Sequence, residues 1–320
     1  MPVLDMPLAK LKTYKGMNPK PRDFEAFWDK ALEEMRSVDP KVKMVPNKTV
    51  RVSYADCFDL FWTGVGGAKI YAKLLRPKKI SKPGPALLMF HGYSIDSGFW
   101  SDKLAYVAEG FTVAALDCRG QGGLSEDKIA VQGTTLRGHF IRGLDDRPEK
   151  LLFRQIFLDA AQMAKIVMGL PGVDPKRIGA MGASQGGGLT LACAALEPRI
   201  KRIAPCYPFL SDYQRVWEMD LAKDAYEELQ YFFRNFDPLH EREKEIFTNL
   251  GYIDVHHLAT RIKAETLMAI TLQDSICPPS SQFAAFNQIK SPKKMVLYPD
   301  YGHENLKYWW DKAFQFMMGV

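Results

Sequence analysis

Ser184 lies in Gly182-Ala183-Ser184-Gln185-Gly186, a Gly-x-Ser-x-Gly pentapeptide with an apolar run before it and a small-residue run after it. Arg177-Ile178-Gly179-Ala180-Met181 reads as a short buried strand, and Gly187-Gly188-Leu189-Thr190-Leu191-Ala192 as the start of a closely packed helix. A serine at a strand-to-helix turn takes a strained backbone that only glycine neighbours tolerate. Its hydroxyl then projects outward at the positive end of the helix. An incidental serine in a tight turn would need neither the strand nor the helix, so the context reads as a nucleophile elbow.

The rest of the chain suits such a turn. Short apolar runs at 86–90, 112–116, 178–181, 202–205, 267–271 and 294–298 read as buried strands. Helical patterns around 100–109, 151–169, 186–196, 279–289 and 304–317 alternate with them. That alternation predicts an α/β fold with a mostly parallel, doubly wound sheet covered on both faces. The segment 1–84 differs: Asp23 is placed to cap a helix whose face carries Phe24, Phe27, Trp28, Leu32 and Met35. Two extended runs, 49–54 and 69–75, flank the turn-like Gly64-Val65-Gly66-Gly67 and predict an antiparallel pair. The interval of about 207–263 exceeds a plain crossover and predicts a helical cap over the carboxyl ends of the strands. The expectation is a single domain over residues 1–320.

A serine hydroxyl needs a base, and the base needs an orienting carboxylate. On elbows of this kind the partners follow in the order Ser, Asp or Glu, His. His303, in Tyr298-Pro299-Asp300-Tyr301-Gly302-His303-Glu304, follows the last predicted strand directly and is the expected base. His240 and the His256-His257 pair fall in the cap interval, where satisfied or solvated histidines are the rule. Leu267 to Gln273 ends in Asp274, the expected acid, with Asp300 as its rival. An oxyanion needs two backbone N–H donors. Gln185 supplies one, and Tyr93, in the His91-Gly92-Tyr93-Ser94 loop after the strand 86–90, supplies the other. His91 is expected to be a structural hydrogen-bonding residue.

Bulk properties exclude other classes. Forty-three basic residues face 37 acidic ones, a formal charge of +6, but they are interspersed, and nucleic acid is not an expected partner. No run approaches the roughly 18 apolar residues that span a bilayer, so no membrane partner is expected either. Met1 to Lys20 has no apolar core or cleavage site of a leader. Cys57, Cys118, Cys193, Cys206 and Cys277 contain no Cys-x-x-Cys pair, which suits a reducing cytoplasm. No His-x-x-x-His or clustered ligand set is visible, so neither a metal nor an organic cofactor is expected.

His91-Gly92-Tyr93, Arg119-Gly120-Gln121, Gly182 to Gly188, Leu272-Gln273-Asp274 and His303-Glu304 occur in an order that resembles carbohydrate esterase family seven. These are the acetyl xylan esterases and cephalosporin C deacetylases, within the α/β-hydrolases. The resemblance spans the chain from Phe27-Trp28 to Trp309-Trp310. It implies a serine esterase removing acetyl groups from short acetylated xylo-oligosaccharides and from esters such as cephalosporin C. It also implies a cytoplasmic hexamer of two trimers with active sites facing an internal cavity. Leu60-Phe61-Trp62 is either contact surface for that assembly or plain core. Arg119 and Gln121 are implied to be structural neighbours of the site, in a turn anchored by guanidinium hydrogen bonds.

Residue pattern alone leaves alternatives open. A triad does not choose between esters and amides, and a broader short-chain carboxylesterase or a cap-bearing serine peptidase shares every element above. The peptidase lacks an obvious carboxylate pair to hold a free amino terminus. A catalytically silent binding protein would have no use for a complete nucleophile, base, acid and oxyanion loop.

Overall fold

A computed structural model describes residues 4–132 and 139–320. Among them nine strands form one sheet: β1 Lys43–Asn47, β2 Ala55–Thr63, β3 Lys69–Pro77, β4 Gly84–Phe90, β5 Thr112–Asp117, β6 Val173–Ala183, β7 Arg202–Cys206, β8 Glu265–Thr271 and β9 Lys293–Tyr298. The spatial order is β1-β2-β3-β5-β4-β6-β7-β8-β9. β1, β2, β3 and β5 pair antiparallel, and every neighbour from β5 across to β9 is parallel. The mostly parallel, doubly wound sheet with antiparallel N-terminal strands is therefore as the sequence predicts.

Alternation explains why the central strands read as unbroken apolar runs. Ala86, Leu88 and Phe90 of β4 join the core on one face, under the helices Phe24–Ser37, Leu152–Met168 and Gln185–Leu196. Leu87 joins the opposite core with Trp309, Ala313 and Met317 of the helix Trp309–Met317. Successive side chains point to opposite faces, so a strand covered on both must be apolar throughout.

The N-terminal region departs from expectation in register. The partner of β3 is β2, not 49–54; residues 48–54 form no strand and bend at 49–50 and 53–54, with the Thr49 N–H donating to Asn47 Oδ1 at 2.8 Å. Asp56 and Asp59 hide β2 in the sequence, because its exposed positions interrupt the apolar run. β1 carries Pro46, which suits an edge strand and weakens the sequence signal. Phe24, Phe27, Trp28, Leu32 and Met35 are buried on one helix face as expected. Asp23 sits at the N-cap position but makes no capping bond; its carboxylate accepts from the Tyr252 hydroxyl at 2.5 Å.

Between β7 and β8 lie the helices Tyr213–Glu218, Glu228–Phe236, Glu243–Gly251 and Val255–Leu258. Their buried side chains, among them Val216, Phe232, Phe247 and Leu258, merge with the main core. A buried polar junction ties the insertion to the N-terminal strap. Asp254 accepts from His256 Nδ1 at 2.6 Å, and Asp212 accepts from the Tyr14 hydroxyl at 2.7 Å and from the N–H groups of Met17 and Asn18 at 2.9 Å. No helix of the described residues is long and apolar enough to cross a membrane.

Candidate active site

The sheet order decides which loops meet. β4 lies between β5 and β6, with Phe90 opposite Gly182, so the loop after β4 and the turn after β6 emerge side by side. This crevice, where the order of strands reverses, is where open α/β sheets bind ligands. β8 and β9 are neighbours too, with Thr271 opposite Tyr298, and their following loops carry Asp274 and His303.

Ser184 joins β6 to the helix Gln185–Leu196 with φ 56° and ψ −119°, a region that costs about 1–3 kcal/mol for a side-chain-bearing residue. The surroundings hold it there. Its N–H donates to Cys206 O at 3.0 Å, and its carbonyl accepts from Gly188 N–H at 3.0 Å and Phe209 N–H at 2.9 Å. A Cβ at Gly182 would come within 2.6 Å of Phe90 O and of the Gly186 carbonyl, and one at Gly186 within 2.1 Å of Phe90 O. Any larger residue at either position would push the helix off the strand ends.

His303 Nδ1 lies 2.9 Å from Asp274 Oδ2. Asp274 is completely buried, and its other oxygen accepts from the N–H groups of Ile276 at 2.9 Å and Cys277 at 2.8 Å. Thr271 Oγ1 adds a contact to Oδ2 at 3.3 Å. Asp300, the rival acid, is solvent-exposed. Ser184 and His303 line one cavity of about 370 Å³ with Tyr207, Trp310, Met89 and Met181. No hydrogen bond joins the Ser184 hydroxyl to His303 in this structure; such bonds often tighten only when substrate is bound.

Among the described residues, neither the Tyr93 nor the Gln185 N–H meets an acceptor within the chain. Gln185 opens its helix, where orphan N–H groups and the helix dipole favour an anion. The side chains around these donors are tightly pinned. Gln121 and Gln185 exchange amide hydrogen bonds at 2.9 and 3.1 Å. Gln121 Oε1 also accepts from Ser94 N–H at 3.0 Å, and Gln185 Nε2 donates to Gly92 O at 3.2 Å. The loop after β4 is thus held on both sides of Tyr93.

His91 Nδ1 lies 2.6 Å from Gly92 O while Nε2 accepts from Cys118 N–H at 2.9 Å, a pairing that requires the Nδ1–H tautomer. Burial pushes its pKa down, in keeping with a neutral ring tying two strand ends together. Arg119 forms a two-pronged pair with Asp159, both bonds 2.6 Å, and donates to Val65 O at 3.2 Å. Both side chains are buried, and a Cβ at Gly64 would lie 2.7 Å from each, so the glycine turn, the β5 loop and the helix Leu152–Met168 close on one ion pair. The anchored turn implied by the resemblance is therefore present.

Several residues carried no signal in the sequence. Tyr207 packs against His303 with ring centroids 4.7 Å apart. Trp310, 40% exposed, forms another part of the cavity wall. Cys277 brings its sulfur within 4.8 Å of ligand-type atoms of Asp274 and His303. Burial, then the nearby Asp274 charge, push this thiol well above its ordinary value, so it stays protonated and is not a competing nucleophile. A second group, Asp254, His256 and His257, also falls within 4.8 Å. Linear spacing hid both groups, because their members converge only through the fold. In the second, Asp254 is already committed to His256.

The Ser184 turn after β6, Asp274 and His303 on the loops after β8 and β9, and the reversal of strand order at β4 together define an α/β-hydrolase fold. Within that class, the acetyl xylan esterase (AXE1) family model matches residues 1–320, and the chain belongs to this family of carboxylic ester hydrolases. It is similar to the crystal structure of acetyl xylan esterase 1 from Thermoanaerobacterium sp. JW/SL YS485, with 58% identity, 98% of this chain and 99% of that one covered, and a TM-score of 0.97. The acetyl xylan esterase from Paenibacillus sp. R4 matches at 36% identity over 98% of this chain and 100% of its own, with a TM-score of 0.94. Acetyl esterase Axe7A of Xylanibacter ruminicola (strain ATCC 19189 / DSM 19721 / CIP 105475 / JCM 8958 / 23) is 27% identical over 293 residues, or 89% of this chain; the match spans 64% of that relative's length. An acylaminoacyl peptidase from Pyrococcus horikoshii, 15% identical with a TM-score of 0.56, shares the fold alone.

The buried carboxylate partnered to His303 separates the two candidate acids. Asp274→Asn should lower kcat on an acetyl ester by roughly 10³–10⁴, since an amide favours the wrong imidazole tautomer. Asp300→Asn should cost at most about tenfold. Steady-state kinetics of both variants decide it, and the reverse ranking would move the acid to Asp300.

Proposed function

We propose that the protein removes acetyl groups from short acetylated xylo-oligosaccharides and related acetyl esters such as cephalosporin C, through an acyl-enzyme on Ser184. The observation that carries this reading is the convergence of the Ser184 turn and the Asp274–His303 pair on one small cavity.

The chemistry follows from the geometry. His303, held at Nδ1 by Asp274, takes the Ser184 proton on Nε2 as Oγ attacks the acetyl carbonyl. The carbonyl oxygen gains charge beside the free N–H groups of Gln185 and Tyr93, which need no reorganisation to receive it. Protonated His303 then gives its proton to the departing sugar oxygen. Water enters, loses a proton to His303 and releases acetate by the same steps in reverse. Every role falls to side chains and backbone, so the mechanism calls on no metal or organic cofactor.

Names borne by similar proteins favour acetyl esters, and in this reading the acyl site closes on the acetyl methyl, so that extra methylenes are rejected by clash. Because the chain spans under two thirds of the curated relative's length, substrates and assembly of the whole protein are part of the proposal. So are a cytoplasmic setting, which five buried, unpaired cysteines suit, and a homohexamer of two trimers. Leu60 and Trp62 are core residues, and Phe61 alone of that cluster is left partly open to a partner.

A series of nitrophenyl acetate, butyrate and octanoate, run beside acetylated xylo-oligosaccharides, cephalosporin C and an aminoacyl anilide, tests the substrate class. Acetate should be turned over fastest and the anilide not at all. Octanoate ahead of acetate would indicate a broader carboxylesterase, and anilide cleavage a peptidase. Light scattering at micromolar concentration should give a mass near six times 36.3 kDa; a monomer would refute the hexamer.

A further inference from the structure

Tyr93 is fastened at its side chain as well as along its loop, and the fastening is unusual in being acidic. The Tyr93 hydroxyl donates to Glu228 Oε1, and Glu228 Oε2 accepts from the N–H groups of Phe140 at 3.0 Å and Ile141 at 3.5 Å. The same hydroxyl accepts from His139 N–H at 3.1 Å. Glu228 opens the helix Glu228–Phe236 of the insertion and is only 4% exposed. The Tyr93 ring lies parallel to Phe153 at 6.5 Å and edge-on to Phe209 at 5.3 Å. Phe209 in turn donates its N–H to the Ser184 carbonyl.

The backbone around Tyr93 is pinned at Gly92 and Ser94, but the Tyr93 N–H itself is free, as an oxyanion donor must be. Its direction is therefore set by its neighbours and by its own side chain. A misplacement of about 1 Å at such a donor can cost on the order of 10²-fold. We propose that Glu228 is a positioning residue for ester hydrolysis, fixing the Tyr93 N–H toward the oxyanion by gripping the Tyr93 hydroxyl from the insertion. This rests on the reading of Tyr93 as an oxyanion donor given above.

A carboxylate suits that post better than an amide. All three groups aimed at Glu228 are donors, so only the ionised form satisfies them without conflict. Burial raises its pKa to about 7, against the lowering effect of the Tyr93 hydroxyl and the 139–141 backbone. The titratable groups that face this junction are Tyr93 from the loop, His139 from the segment beside it and Tyr213 from the helix Tyr213–Glu218. Burial pushes both tyrosines up, so they stay neutral, and pushes His139 down. The sign follows: above about pH 7 the carboxylate holds Tyr93, and as pH falls its proton takes the place of a donor and the grip loosens.

The test is the acid limb of kcat for nitrophenyl acetate in wild type, Glu228→Gln, Tyr93→Phe and the double variant, with melting temperatures measured alongside. Wild type should show a loss of activity as Glu228 takes up its proton near pH 7. Each single variant should lose roughly 10–100-fold in kcat with KM nearly unchanged and should lack that step in its acid limb. The double variant should match the singles, because both cut the same link. Should Glu228→Gln fail to fold, Tyr93→Phe carries the test alone, since it leaves the carboxylate in place. Additive losses with an unaltered acid limb would mean that Glu228 merely supports the insertion, and would overturn the proposal. Ser184→Ala, assayed in parallel, separates the two readings: retained hydrolysis there overturns the triad and Glu228 together, whereas an inactive Ser184→Ala beside a Glu228→Gln of wild-type behaviour overturns Glu228 alone.

Discussion

The contact on which the site depends is the approach of the Gly182-to-Gly186 turn to the carbonyl of Phe90. No side chain fits between them: a Cβ at either glycine would stand 2.1–2.6 Å from that oxygen. This closeness lets the helix Gln185–Leu196 start directly over the end of β4, and it forces Ser184 to the positive φ of 56°. The serine is thereby set at the mouth of the crevice, and the first N–H of the helix lies beside the loop that carries Tyr93. Strain at Ser184 is held by three backbone hydrogen bonds, each on a different neighbour. The surrounding sheet over-determines the conformation, which is the condition for strain to persist.

Around that turn the loops are joined by polar groups away from water. The Arg119–Asp159 pair, the Gln121–Gln185 exchange and the His91–Cys118 bond each cross between elements distant in sequence. A buried ion pair such as Arg119–Asp159 contributes little to net stability, but removing one partner costs about 3–5 kcal/mol because the other is left uncompensated. Their effect here is geometric. They fix strand-end loops relative to one another, around the cavity that Gly92, Ser184 and His303 line together.

The strands flanking the elbow were legible because burial on both faces leaves an unbroken apolar run, as in Ala86 to Phe90. That Ser184, Asp274 and His303 lie just beyond strand ends was legible because each follows such a run. His303 and Asp274 are hydrogen-bonded in the structure, and Asp300 is exposed. The strand over 55–63 was hidden by Asp56 and Asp59, whose side chains lie at exposed or half-exposed positions of a strand near the sheet edge. Tyr207, Trp310, Cys277 and Glu228 could not be read at all. Tyr207 meets His303 and Glu228 meets Tyr93 only through the fold, the latter across 135 positions of chain, and no local pattern encodes such contacts. A glutamate at the start of an amphipathic helix looks solvated until the fold buries it against Tyr93.

In the proposed mechanism the acetyl group passes through Ser184. Rapid acid quench during the first turnovers on nitrophenyl acetate, followed by mass spectrometry of the digested protein, examines it directly. The account predicts a transient acetyl increment on the peptide containing Ser184, formed with the burst of nitrophenol and lost as acetate is released. An acetyl group carried by another residue, or a burst with no acetylated peptide, would contradict it.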